Sequence, residues 1–277
     1  MTVEVLNPHG FCAGVTAAIR KAVELADGST SVYCLHELVH NEIVVSGLRS
    51  RGFVFVEDIC DVPAGATVLF SAHGVAPAVR RKAEARGLRV VDATCPFVTK
   101  VHKAAREFAS AGLPVLVVGH PGHAEVSGIV GEVEDVGGTV RVISAADDLF
   151  AIPGIPLGAR VGVVSQTTMN ADEVSAMVER LRAIYEIETM AEVCSATKVR
   201  QDAVKAFDGD ALLVLGSVSS SNTRRLCEVA RCRTFRAGTS AEVKALDFSG
   251  VGRLGVTSGA STPEDFFRAV VRELEGK

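Results

Sequence analysis

The sequence predicts an α/β protein, and three observations carry that prediction. Short Val/Leu-rich runs are apolar throughout instead of alternating, as strands covered on both faces require. Segments of helical length with mixed apolar and charged faces stand between those runs. Polar clusters close the runs, so glycine, serine and histidine fall at the carboxyl ends of strands, where α/β sheets take their ligands.

Taken in order, the first helix is expected over residues 15–26. A strand at 67–70 runs into Ser71-Ala72-His73-Gly74, and a helix follows at 76–86. A helix at 99–110 precedes a strand at 114–118, which ends in His120-Pro121-Gly122-His123-Ala124-Glu125. The strand at 160–164 leads into Ser165-Gln166-Thr167-Thr168. Asn170 then caps a helix at 171–185 whose first turn carries Asp172 and Glu173, the charge that a helix start favours. A strand at 211–215 precedes the hydroxyl-rich loop Ser217 to Asn222 and a helix at 224–231. The last strand, at 254–256, is followed by Ser261-Thr262-Pro263-Glu264-Asp265, which combines a cap, a first-turn proline and early acids for a helix at 263–274.

A repeat runs through this plan. Cys12 sits in Asn7-Pro8-His9-Gly10-Phe11-Cys12-Ala13-Gly14, Cys95 in Asp92-Ala93-Thr94-Cys95-Pro96, and Cys194 in Ala191-Glu192-Val193-Cys194-Ser195-Ala196-Thr197. Each is followed by two polar clusters. The first lies 29, 28 and 28 residues on, at Asn41, His123 and Asn222; the second lies 61, 72 and 67 residues on, at His73, Thr167 and Ser261. Three pseudo-equivalent lobes follow, at 1–95 with Cys12, His40 and His73, at 96–193 with the Cys95 loop at its start and His123, Glu125 and Thr167, and at 194–277 with Cys194, Ser220 to Asn222 and Ser261.

Composition narrows the function classes. With 48% apolar and 22% charged residues the chain reads as a soluble globular protein. A net charge of −4, no long basic run and no tryptophan argue against nucleic acid as a partner. No run of about 18 apolar residues suggests a membrane span, and no signal peptide is apparent. Seven scattered cysteines, an odd number, favour free or metal-bound thiols and a cytoplasmic location.

Most cysteines are small buried hydrophobes, and Cys34, Cys60, Cys227 and Cys232 fit that description. Cys12, Cys95 and Cys194 differ because they are in register. No CxxC pair exists, which disfavours a zinc ribbon or a bacterial ferredoxin run. Three sulfurs from three lobes suit a [4Fe–4S] cluster with one iron lacking a protein thiolate. Loop histidines are usually surface decoration, but His40, His73 and His123 occupy matched places. Ser220, Ser221, Asn222 and Ser261 at strand ends can cradle phosphate with neutral donors, and no P-loop pattern points to a nucleoside triphosphate. Glu125, facing Thr167, can act as a general acid if burial raises its pKa; the alternative is a solvated or capping carboxylate.

At these residues the chain resembles the 4-hydroxy-3-methylbut-2-enyl diphosphate reductase (LytB) family. The likeness lies in Asn7 to Val15, His36-Glu37-Leu38-Val39-His40-Asn41, Phe70 to Val75, Asp92 to His102, Gly119 to His123, Ser165 to Thr168, Ser220-Ser221-Asn222 and Gly259-Ala260-Ser261. The resemblance implies three α/β lobes in a trefoil around a [4Fe–4S] cluster held by Cys12, Cys95 and Cys194. It implies reductive removal of the substrate hydroxyl to give isopentenyl and dimethylallyl diphosphates, the last step of the methylerythritol phosphate isoprenoid route. Two electrons would come from a ferredoxin or flavodoxin. Glu125 would deliver protons with help from Thr167, while His40, His73, Ser220, Ser221, Asn222 and Ser261 would hold the diphosphate, with His123 and Ser219 beside it.

The chain departs from the family pattern at Ala124, at Lys198-Val199, at Val218-Ser219 and at His9, where arginine is common. Those positions shape the cavity, so a paralogue acting on another allylic diphosphate is the first alternative. A non-catalytic iron–sulfur redox sensor is the second, and it has no need of Glu125 or the donor set; a zinc hydrolase is the third.

Overall fold

A computed structural model of the chain describes residues 1–26, 31–144, 149–150 and 152–276. Its elements, in chain order, are β1 (Thr2–Val5), α1 (Ala13–Leu25), β2 (Val32–Leu35), α2 (Glu42–Arg49), β3 (Phe53–Val56), β4 (Thr67–Phe70), α3 (Pro77–Ala85), β5 (Arg89–Asp92), α4 (Pro96–Ser110) and β6 (Val115–Val118). They continue with α5 (Ala124–Asp135), β7 (Val140–Ile143), β8 (Arg160–Ser165), α6 (Ala171–Arg182), β9 (Glu186–Met190), α7 (Ser195–Ala206) and β10 (Ala211–Leu215). The last are α8 (Ser221–Val229), β11 (Arg233–Ala237), α9 (Ser240–Lys244), β12 (Arg253–Ser258) and α10 (Glu264–Glu275). No helix among the described residues is long and apolar enough to cross a membrane.

The strands form three four-stranded sheets, ordered β3-β2-β4-β5, β7-β6-β8-β9 and β1-β12-β10-β11. The pairings are parallel, which requires helical crossovers and buries the central strands on both faces. Read from the opposite edge, the third sheet has the order of the other two, with β1 in the place that β5 and β9 hold. The chain thus begins with the strand that finishes its last sheet. Residues 2–5, expected in the 1–95 lobe, pair instead with β12, Val3 opposite Leu254 and Val5 opposite Val256.

The chain divides into two compact units, Met1–Thr16 with Val39–Ser50 and Cys194–Lys277, and Ala17–Leu38 with Arg51–Val193. In the first, β10 shows the two-faced burial. Leu213 and Leu215 pack with Phe266, Phe267 and Val270 of α10, while Leu212 and Val214 pack with Val204, Phe207 and Leu226 on the other side. In the second, β6 does the same. Leu116 and Val118 meet Val174, Met177 and Leu181 of α6, and Val115 and Val117 meet Val101 and Ala105 of α4 with Ile129 of α5. Phe70 and Val68 of β4 pack with Ala83 of α3 and Leu88.

The five expected strands are all present. Three of the expected helices begin late, for α1 starts at Ala13, α4 at Pro96 and α8 at Ser221, while those expected at 76, 171 and 263 fall within a residue of the observed starts. The difference matters for function, because it moves the cysteines and serines from open loops to the first turns of helices.

Candidate active site

In the first unit, Cys12 immediately precedes α1, and its sulfur accepts the Val15 N–H at 3.5 Å. The loop carrying it is fixed by the Cys12 N–H on the Ala260 carbonyl at 3.1 Å and the Gly10 N–H on Ser258 Oγ at 2.8 Å. Cys194 is the N-cap residue of α7, with its sulfur 3.2 Å from Thr197 Oγ1. Thr197 Oγ1 in turn accepts from the Asn222 amide at 3.3 Å, and the Asn222 amide oxygen accepts the Ala260 N–H at 3.0 Å. Asn222 therefore ties the Cys194 turn to the loop that holds Cys12.

The hydroxyl set is partly committed. Ser220 caps α8, its oxygen accepting the Thr223 N–H at 3.3 Å, and Ser261 donates to the His40 carbonyl at 3.1 Å. Ser220, Ser221, Asn222 and Ser261 are buried, while Ser219 is exposed and its hydroxyl lies 2.9 Å from that of Ser217. His40 is half-buried and directly precedes Asn41, the cap of α2, whose side chain accepts the Ile43 and Val44 N–H groups. The positive dipole ends of α2 and α8 suit an anion.

In the second unit, Cys95 caps α4 and its N–H donates to the Ala72 carbonyl at 3.0 Å, next to His73. His73 has Nδ1 3.2 Å from Ser71 Oγ and meets the His123 ring edge-on, centroids 5.6 Å apart. His123 caps α5 with Nδ1, which accepts the Glu125 N–H at 3.2 Å. A neutral imidazole accepting at Nδ1 carries its proton on Nε2, so that edge is a donor.

Glu125 is 2% exposed. One carboxyl oxygen accepts the Thr167 N–H at 2.7 Å and the other lies 3.1 Å from Thr167 Oγ1. Burial pushes the carboxyl up to about 7, against the two Thr167 hydrogen bonds, which pull it down.

The remaining cysteines separate from these three. Cys34 is buried and Cys227 largely so; burial pushes their thiols up to about 12 and about 11. Cys60, expected to be buried, is exposed, because it lies in a one-turn 3₁₀ segment at the surface where Asp58 accepts its N–H. No set of three or more His, Cys, Asp or Glu side chains among the described residues converges as single-ion ligands do. Partly exposed thiols at helix starts are the kind of group that an iron–sulfur cluster takes as ligands.

Sequence reasoning passed over Arg200 and Gln201, which are buried on α7 with Thr197. The signal was present: these polar residues fall at helical spacing on the face that ends in Val204, where apolar residues are the rule. His102 is buried against Gly74 and Gly128, with Nδ1 3.4 Å from Glu132.

Fold and site define a parallel-sheet α/β protein whose thiols, imidazoles, buried acid and hydroxyls all stand between strand ends and helix starts. The model of the LytB protein family matches residues 3–275. The chain is 40% identical to the 4-hydroxy-3-methylbut-2-enyl diphosphate reductase of Acidithiobacillus ferrooxidans, over 100% of this chain and 89% of that protein. It is 42% identical to the protein of the same name from Ralstonia nicotianae, over 98% and 86%. Among solved structures it is similar to the E-1-hydroxy-2-methyl-but-2-enyl-4-diphosphate reductase of Plasmodium falciparum, with a TM-score of 0.88, 31% identity and coverage of 99% and 87%. It also matches a (E)-4-hydroxy-3-methyl-but-2-enyl diphosphate reductase described as the terminal enzyme of the non-mevalonate pathway, with a TM-score of 0.69 and 30% identity over both whole chains. The chain belongs to the LytB family.

Proposed function

We propose that the protein is the reductase its relatives are named for, removing the hydroxyl of 4-hydroxy-3-methylbut-2-enyl diphosphate to give isopentenyl and dimethylallyl diphosphates. The reaction consumes two electrons and two protons and releases water, so it needs an acid in a site shielded from solvent. Glu125 is the observation that carries the reading: a buried carboxyl pushed up to about 7 and oriented by Thr167. An acid with that pKa holds a proton at neutral pH and can also give it up.

Cys12, Cys95 and Cys194 would hold a [4Fe–4S] cluster, which when bound supplies electrons one at a time and an iron free of protein thiolate. Each of the three cysteines stands at the start of a helix, and the Cys12 sulfur accepts the Val15 N–H. His40, His73, Ser220, Ser221, Asn222 and Ser261 would bind the diphosphate by hydrogen bonds from neutral donors and helix N-termini. His123, whose ring meets that of His73 edge-on, would add its Nε2–H, and the exposed Ser219 its hydroxyl. Asn222 acts first as a scaffold for the other donors, since both ends of its amide are engaged within the protein. A ferredoxin or flavodoxin is the proposed electron source.

The test is anaerobic turnover. Protein reduced with dithionite and a mediator should convert the hydroxymethylbutenyl diphosphate into the two five-carbon diphosphates. No product from protein carrying its full complement of iron and sulfide overturns the reading and leaves a paralogue with another allylic diphosphate.

A further inference from the structure

Among the described residues Arg200 is the one buried lysine or arginine, at 3% exposure. Its guanidinium joins two segments of the first unit. Nη2 donates to the Gly10 carbonyl at 2.8 Å, two residues before Cys12, and Nη1 donates to the Ala196 carbonyl at 3.0 Å, two residues after Cys194. Nε is buried and has no hydrogen-bond partner among the described residues. No carboxylate there pairs with it, and the groups that favour its charge are Cys12 and Cys194, opposing the burial that disfavours it.

A buried cation with no counter-charge is costly, and a guanidinium cannot escape that cost by releasing its proton. The compensating charge must come from what the two neighbouring sulfurs hold. We propose that Arg200 is the counter-ion of the iron–sulfur cluster, raising the cluster's reduction potential. This inference rests on the cluster reading above. A cubane held by three thiolates is negative and gains a further negative charge on reduction, so a fixed positive charge beside two of its ligands stabilises the reduced form more. Arg200 is thereby a positioning residue that acts through the cysteines.

A merely structural staple makes different predictions, and two variants separate them. Arg200→Gln removes the charge; Arg200→Lys keeps it and loses the fork. In an anaerobic redox titration followed by electron paramagnetic resonance, Arg200→Gln should make the reduction equilibrium at least about tenfold less favourable, about 59 mV for one electron, while Arg200→Lys restores most of it. An unchanged midpoint in loaded Arg200→Gln, or equal shifts in both variants, overturns the proposal.

Stability of the cluster-free protein covers the case in which neither variant loads. Without the cluster Arg200 has lost its counter-charge, so Arg200→Gln should leave the urea midpoint of the cluster-free protein unchanged or higher. A clearly lower midpoint means that Arg200 is a staple, and the proposal falls. Failure of the parent reading looks different: unaltered protein that binds no iron and sulfide on anaerobic reconstitution defeats the cluster itself.

Discussion

Glu125 shows what a single side chain owes to its surroundings. The sequence offers a carboxylate in a His/Gly loop opposite two threonines, and from that alone a solvated or capping glutamate was an equal reading. The structure separates the two roles, for His123 caps the helix and Glu125 turns inward onto Thr167. Its carboxyl titrates at about 7 in the fold and near 4.5 when exposed, so the folded state binds more protons between those values. Stability from this group is therefore lost as pH rises from about 4.5 to about 7, the reverse of a salt-bridged acid. Proton delivery follows the same titration. Turnover should fall as pH rises through about 7, and Glu125→Gln should lower kcat by about 10²–10⁴-fold while its residual rate loses that alkaline limb. Steady-state kinetics across pH on cluster-replete protein measures both. A variant with undiminished kcat removes Glu125 from the acid role. Asn222 teaches the complementary lesson: its place in a Ser-Ser-Asn run marks it as a phosphate ligand, but its amide partners, Thr197 and Ala260, lie far away in sequence and could not be read there.

At the scale of elements, legibility followed burial. The expected strands β4, β6, β8, β10 and β12 are central in their sheets, where both faces are covered and the middle of each run is apolar. The edge strands β1, β5, β7, β9 and β11 were not read, because partial exposure mixes charged residues into them, as in the Arg-Val-Val-Asp of β5; the all-apolar edge strand β3, Phe-Val-Phe-Val, was missed as well. The central β2 was also missed, its Val-Tyr-Cys-Leu too short and mixed to stand out. Helix starts were hidden by proline at Pro96 and by small residues at Ala13, both compatible with a first turn. The packing of α4 on α5 depends on glycine. A Cβ at Gly128 would lie 2.7 Å from His102 Cε1, and one at Gly74, whose φ is +76°, would lie 3.0 Å from the same atom. His102 cannot retreat easily, as Glu132 holds its other side. Gly128→Ala should therefore destabilise the fold by about 1–3 kcal/mol despite alanine's better helix propensity, read from denaturant unfolding. A neutral or stabilising result would show that the imidazole has room to move. The same variant should weaken binding of inorganic diphosphate, since α4 carries Cys95, α5 carries Glu125 and Gly74 follows His73.

The whole molecule repeats one pattern with a displaced joint. β1, β5 and β9 each form the edge of a sheet, and each is followed by a cysteine and then by a helix, at Cys12 and α1, Cys95 and α4, and Cys194 and α7. The in-register cysteines were legible because the first polar cluster follows them at nearly constant spacing, 29, 28 and 28 residues on. The owner of β1 was not, since a parallel pairing between the first and last strands leaves no local mark in sequence. The displaced joint gives the N-terminal segment a weight that chain termini usually lack. Leu6, just past β1, is 7% exposed, bonds through its N–H to the Val256 carbonyl at 2.9 Å, and packs with Phe207, Leu212, Val214 and Leu226. Truncating it opens a cavity under the sheet that carries Ser220 to Asn222, and loosens the strand that delivers Cys12. Leu6→Ala should cost about 2–5 kcal/mol in denaturant unfolding, the range of a core leucine and not of a frayed end. It should also slow anaerobic cluster reconstitution, because the loop from Leu6 to Cys12 is fixed at its far end by Ala260 and at its near end by β1. A cost below about 0.5 kcal/mol, the range of surface substitutions, would mean that the third sheet is complete without its first strand.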